Sequence, residues 1–263
     1  MTEDVLHTVE NGVSWITLNR PEAMNAVTWD QRERIIALLA EASADASVRA
    51  VVVTGTGRGF CAGADLRGGP PASADRIAGD VSRMIRQGAQ RFIAAVMDCE
   101  KPVIAAVNGT AAGIGAHLAL ACDLVIAAES ARFVEVFARR GLVPDGGGAY
   151  LLPRLIGPQR AKELMFFGDA LPAREAQAMG LVNRVVPQED LTKTAREWAE
   201  RLAQGPTRAL SLTKQLINAS LDTDRTTAFA AEATAQELNM TTRDAQEGVA
   251  AFVERREARY EGR

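Results

Sequence analysis

The chain has 263 residues, 47% apolar and 24% charged, a globular mix that excludes disorder as the main state and excludes collagen-like or coiled-coil architecture. Thirty Lys and Arg against 33 Asp and Glu leave a formal net charge of -3, and aromatics are only 5%, so neither a basic nucleic-acid surface nor base-stacking platforms are expected. At about 150 residues per domain the length allows one or two domains.

Cys61, Cys99 and Cys122 are far apart and form no Cys-x-x-Cys, so they read as free thiols of a reducing compartment. With only His7 and His117 as histidines, a zinc site is not expected. The Met-Thr-Glu-Asp start carries acids where a signal peptide would be basic, and no apolar run is long enough to span a bilayer. A cytoplasmic protein with no membrane partner is the expectation.

In chain order, Val13 to Leu18 alternates as a strand and stops at Asn19-Arg20-Pro21. Thr28 then caps a helix through Ile35, Ile36, Leu38 and Leu39. Val51 to Val53 reads as a buried strand, followed by a Gly-rich loop from Gly55 to Gly69. A helical pattern with Ile77, Val81, Met84 and Ile85 on one face runs to about Met97. Pro102 to Val107 is a buried strand, Gly113 to Ala121 a helix of small residues, and Leu124 to Ala127 another strand. Strands separated by helical crossovers imply a largely parallel sheet covered on both faces. Beyond Gly146 the signals are nearly all helical, apart from a short strand over Leu181 to Val186. The helices after Asp190, Pro206 and Thr223, and the one through Phe252, lack an evident sheet partner. One α/β domain with a helical C-terminal extension is the economical reading.

Three glycine clusters beside strands could carry chemistry. Gly55, Gly57 and Gly59 miss both the P-loop and the dinucleotide spacing, which leaves a turn or a loose phosphate cradle. The following Ala62-Gly63-Ala64-Asp65-Leu66 is small enough for a ligand to approach main-chain N–H groups. In Asn108 to His117, Gly113 sits well past the strand end and the glycine register fails the Rossmann pattern. What remains there is a helix N-terminus with unpaired N–H groups, suited to an anionic oxygen. In Leu142-Val143-Pro144-Asp145-Gly146-Gly147-Gly148, Asp145 is either a helix cap or a general base facing a pocket. His117, on an Ala/Leu-rich helix, is either a satisfied core histidine or a catalyst.

Taken together, these segments resemble the crotonase superfamily, the enoyl-CoA hydratase/isomerase family. The resemblance runs from Leu18-Asn19-Arg20-Pro21 and Asn25-Ala26, through Ala62-Gly63-Ala64-Asp65-Leu66 and Ile104 to Gly115, to Asp244-Ala245-Gln246-Glu247-Gly248 and Tyr260-Glu261-Gly262. It implies a crotonase-like spiral of β-β-α units over 1–195 and a helical C-terminal oligomerisation region over 196–263, assembled as a homotrimer or a dimer of trimers. It also implies a coenzyme A thioester as substrate, with no permanently bound cofactor. By motif position the oxyanion donors are the N–H groups of Ala64 and Ile114. Glu22, Ala23, Met24, Ala62, Asp65, Leu66 and Arg67 match positions lining the adenine and phosphate part of coenzyme A. Family members often carry a basic residue where Glu22 stands, which makes Arg67 the better phosphate candidate.

The family's hydratases use two glutamates, and here those positions hold His117 and Phe137. Glu135 is nearby, but its shift of two residues changes where it points. Asp145, within Gly-Leu-Val-Pro-Asp, matches the aspartate of the double-bond and ring-opening isomerases, and its surroundings resemble the phenylacetate-pathway isomerase branch. Beside Phe137 and Ile114 its carboxyl is expected to be desolvated. His117 is then expected to line the pocket as neutral imidazole. The leading expectation is an acyl-CoA isomerase with Asp145 as acid/base; a hydratase with an atypical site and a silent acyl-CoA binder are the rivals. Met84, Ile85 and the Pro70-Pro71 loop are expected to shape the acyl pocket.

Overall fold

The computed structural model describes residues 3–68 and 77–263; the expected Pro70-Pro71 pocket wall lies outside them. The chain opens with a hairpin of β1 (Val5–Glu10) and β2 (Val13–Leu18), turned by Asn11 and Gly12, both at positive φ. An Asn-Gly pair suits that turn because its twist matches the flanking strands. After a short turn at Pro21–Ala23 comes α1 (Trp29–Ala44). Thr28 and Gln31 close a reciprocal capping box at its start, a device contributing about 1 kcal/mol.

From there the chain winds as a spiral. β3 (Ala50–Gly55) and β4 (Gly59–Cys61) are followed by α2 (Asp80–Ile85) and α3 (Arg91–Met97); β5 (Val103–Val107) and β6 (Thr110–Ala112) by α4 (Ile114–Ala121). Next come β7 (Leu124–Ala128) and β8 (Arg132–Val134), then α5 (Gly148–Ile156) and α6 (Pro158–Phe167). β9 (Ala170–Pro172), α7 (Ala173–Ala178) and β10 (Arg184–Val186) complete the turns. The longer strands form one sheet in the order β1-β2-β3-β5-β7-β10, parallel except for β1. The short ones form a second sheet, β4-β6-β8-β9, parallel except for β9. Four helices end the chain: α8 (Leu191–Ala203), α9 (Thr207–Ser220), α10 (Arg225–Met240) and α11 (Arg243–Glu254).

The central strands β3, β5 and β7 are buried on both faces, which is why they read as apolar runs. Val51, Val53, Val103, Ala105 and Ala127 face the core beneath α1, α3 and α4. Val52, Ile104, Ala106 and Ile126 face the opposite way, onto Leu191, Ala195, Ala199 and Ala203. The helix after Asp190 therefore does have a sheet partner, because its alanine stripe lets α8 lie close on the strands. Residue 195 falls within it.

The helical pattern does run to Met97, but its apolar face changes between α2 and α3. Arg86–Gln90 forms a π-turn, and Ile77 lies outside α2. Ile77, Val81 and Met84 are exposed, while Ala89, Phe92, Ile93 and Val96 are buried. One extra residue in a turn rotates the following face by about 100°, so a pattern extrapolated from Ile77 points to the wrong side. The strands β4, β6, β8 and β9, three residues each, are too short to show a period in the sequence.

Candidate active site

β4 and β6 are parallel neighbours, so the segments leaving their C-terminal ends emerge side by side. The first is Ala62 to Asp65. Val27 N–H donates to the Gly63 carbonyl (2.8 Å) and Asp65 N–H to that of Val27 (2.9 Å). Ala64, between them, turns its own N–H to the other side, where it has no acceptor among the described residues. The second segment is Gly113 and the start of α4. Gly113 (φ +53) donates its N–H to Val134 (2.9 Å) and reverses the chain into the helix. Ile114 opens α4, and its N–H is likewise unpaired among the described residues, as first-turn amides are. A Cβ on Gly115 would overlap the Cys61 carbonyl, so α4 starts directly on the end of β4. A Cβ on Gly63 would come within 3.0 Å of the Ala112 oxygen. Two free main-chain donors thus belong to one patch of closely packed backbone. Burial pushes the neighbouring Cys61 thiol up to about 11, so it is no nucleophile.

The third wall is the turn before α5. Gly147 stands at the head of that helix and no side chain caps it, so Asp145 is not the cap. Gly146 (φ +57) packs its backbone on Ile114 and Ala89; a Cβ there would lie 3.2 Å from Ile114 Cγ1. Asp145 is half-buried, and its carboxylate has no hydrogen-bond or ion-pair partner among the described residues. Burial raises its pKa above the ordinary carboxylate value, and electrostatic interaction with His117, then with Arg32, pulls it partly back.

His117 is fully buried and its ring stacks on Phe137, centroids 5.4 Å apart at 8°. Its Nε2 lies 3.0 Å from Oε2 of Glu135, itself only 5% exposed. Gly148 packs against the same ring edge, where a Cβ would overlap Nε2. Nδ1 is buried and unpartnered among the described residues. Glu135 therefore points at the imidazole, and His117 makes no hydrogen bond to Asp145.

Two features have no trace in the sequence pattern. Arg32, in the first turn of α1, belongs to no motif, yet it is half-buried and interacts electrostatically with Asp145. The π-turn brings Gly88 against Trp29 and Arg32 and Ala89 against the Asp145 loop. π-turns are frequent at functional sites for this reason, since they re-aim a helix locally.

The residues matched to coenzyme A also come together. Ala62 N–H donates to the Met24 carbonyl (2.9 Å), joining the Glu22-Ala23-Met24 loop to Ala62–Arg67. Asn25, fully buried at positive φ, ties that loop to the Gly59 (2.7 Å) and Thr56 (2.9 Å) carbonyls. Arg67 grips Asp65 through Nε and Nη2, both at 2.9 Å, and holds its carboxyl well below the usual range; Arg20 adds a contact at 3.0 Å. Leu66 and the Arg67 and Glu22 side chains are exposed along this rim.

Comparison with known proteins agrees with this geometry. The family model described as enoyl-CoA hydratase/isomerase matches residues 8–263. The chain is 40% identical over 266 residues to the 1,2-epoxyphenylacetyl-CoA isomerase of Escherichia coli (strain K12), covering 100% of both. It is 36% identical over 259 residues to the crotonyl-CoA hydratase of Syntrophomonas wolfei, covering 98% of each. The crystal structure of an enoyl-CoA hydratase from Bacillus anthracis superimposes with a TM-score of 0.89 at 35% identity, covering 99% of this chain and 100% of that one. With its spiral fold and its paired main-chain donors, this chain belongs to the enoyl-CoA hydratase/isomerase family of enzymes.

Proposed function

We propose that the protein is an acyl-CoA isomerase acting through an enolate. The observation that carries this reading is a desolvated, unpartnered Asp145, next to the Gly146 that packs on Ile114, in a site whose second acid position holds Phe137. The thioester oxygen accepts hydrogen bonds from Ala64 and Ile114 N–H. Asp145 takes a proton from the α- or γ-carbon, and the electron pair left behind delocalises onto that oxygen. The protonated carboxyl returns the same proton to the other carbon, and the double bond shifts. Main-chain donors aimed at the oxyanion contribute about 3–4 kcal/mol each to such a step. Supplying 3-enoyl-CoA in deuterated water tests it. Asp145→Asn is expected to slow isomerisation and α-proton exchange by about 10²–10⁴-fold, and conversion at the wild-type rate overturns the assignment.

A hydratase reading is favoured by one observation, the carboxylate of Glu135 held at His117, which leaves a second acid near the site. Rapid loss of the conjugated thioester absorbance with crotonyl-CoA would select it. Assembly into a homotrimer or a dimer of trimers is supported by apolar side chains exposed on the last two helices, Phe229, Phe252 and Val253 among them. A monomeric mass in solution would reject that assembly.

A further inference from the structure

Asp145 stands in apolar surroundings, and a carboxylate there is useful only if something keeps it charged. The charged and titratable groups that interact electrostatically with it are His117 from α4, hydrogen-bonded to Glu135, and Arg32 from α1, itself acted on by Glu33. Glu33 is already held by Arg91 of α3 at 2.7 Å. Arg32 carries its charge at every working pH.

Its placement is specific. The guanidinium lies over the Trp29 ring, 5.3 Å from the centroid, and Nε donates to the Thr28 carbonyl at 3.3 Å. Nη1 packs on Gly88, where a Cβ would sit 3.1 Å away, and the next residue of the π-turn, Ala89, packs on Gly146. Arg32, the π-turn and the Asp145 loop therefore form one continuous wall. The two Nη groups have no acceptor among the described residues, and Arg32 makes no ion pair with Asp145. The charge is thus oriented by stacking and by one carbonyl, and is not neutralised by direct contact.

We propose that Arg32 is a positioning residue for the proton-carrying carboxylate: its guanidinium, fixed by Trp29, Thr28 and the Gly88 turn, keeps Asp145 ionised and so sets the lower pH limit of the reaction. This rests on reading Asp145 as the proton carrier. The test is therefore made both without and with turnover.

The Asp145 carboxyl is titrated by NMR in protein carrying ¹³C-labelled aspartate, with Asp145→Asn identifying the resonance. In Arg32→Gln the midpoint is expected to rise by about one pH unit, whereas Arg32→Lys, which keeps the charge, stays with the wild type. The acid limb of the pH profile for α-proton exchange is expected to move with it. An unmoved midpoint in Arg32→Gln overturns the proposal, as does a lysine variant that shifts as far as the glutamine one. Should the glutamine variant not fold, Arg32→Met, which keeps the aliphatic stem over Trp29, gives the same reading. A shifted titration with no exchange in any variant removes the isomerase reading and, with it, the pH limit, and leaves only the hold of Arg32 on the Asp145 charge. Exchange with an unmoved titration does the reverse.

Discussion

The two sides of this site are built from different materials. On one side, Ala64 and Ile114 offer main-chain N–H groups at the ends of two adjacent parallel strands, and their side chains are incidental. On the other, Asp145, His117, Glu135, Phe137 and Arg32 come from separate segments and act through side-chain charge, stacking and burial. The main-chain side is rigid because backbone lies on backbone with no room for a methyl group. The side-chain side is held by a few polar contacts inside apolar walls. The first should therefore fail through shape, and the second through charge.

The largest effect is expected from Gly115→Ala. The added methyl meets the Cys61 carbonyl, so either β4 or the start of α4 must move, and Ile114 N–H moves with it. Loss of that donor lowers turnover by about 10²–10³-fold, and overpacking costs about 3 kcal/mol in urea unfolding. Turnover within a few-fold of wild type would show that the close approach does not place the donor. Glu135→Leu is the corresponding break on the side-chain side. It leaves His117 Nε2 buried without its acceptor, for a loss of about 2 kcal/mol, whereas Glu135→Gln retains a partner and loses less. Equal unfolding midpoints for the two variants would mean that the contact contributes only by packing.

The smallest effect sharpens the contrast. A carboxyl whose pKa is raised by folding contributes stability that is full below its unfolded value and is lost as pH rises through the folded one. Relative to Asp145→Asn, the wild type is therefore expected to be most stable at acid pH and to lose ground toward neutrality. Thermal midpoints of both proteins across that range measure it. A difference that grows with pH in favour of the wild type would contradict a desolvated Asp145.

Much of the main-chain side was legible beforehand. Apolar runs such as Val103 to Val107 signal strands buried on both faces, and small residues at Gly113 and Gly115 signal close backbone approach. Asn11-Gly12 is a turn signal of the same local kind, joining β1 to β2. The π-turn was not legible, since Arg86 to Gln90 is compatible with an ordinary helix and only packing against Trp29 and Gly146 selects the wider turn.

The amino-acid order alone determined where the long strands and capped helices lie, and that a lone aspartate sits among glycines. Those are local properties of periodicity, turn chemistry and residue type. Only the tertiary structure decided that Glu135 turns to His117, that Asp145 leaves its helix uncapped, and that Arg32 faces it. Electrostatic partners 18 or more than 100 residues apart are set by how the spiral stacks its turns, and no local pattern encodes that distance.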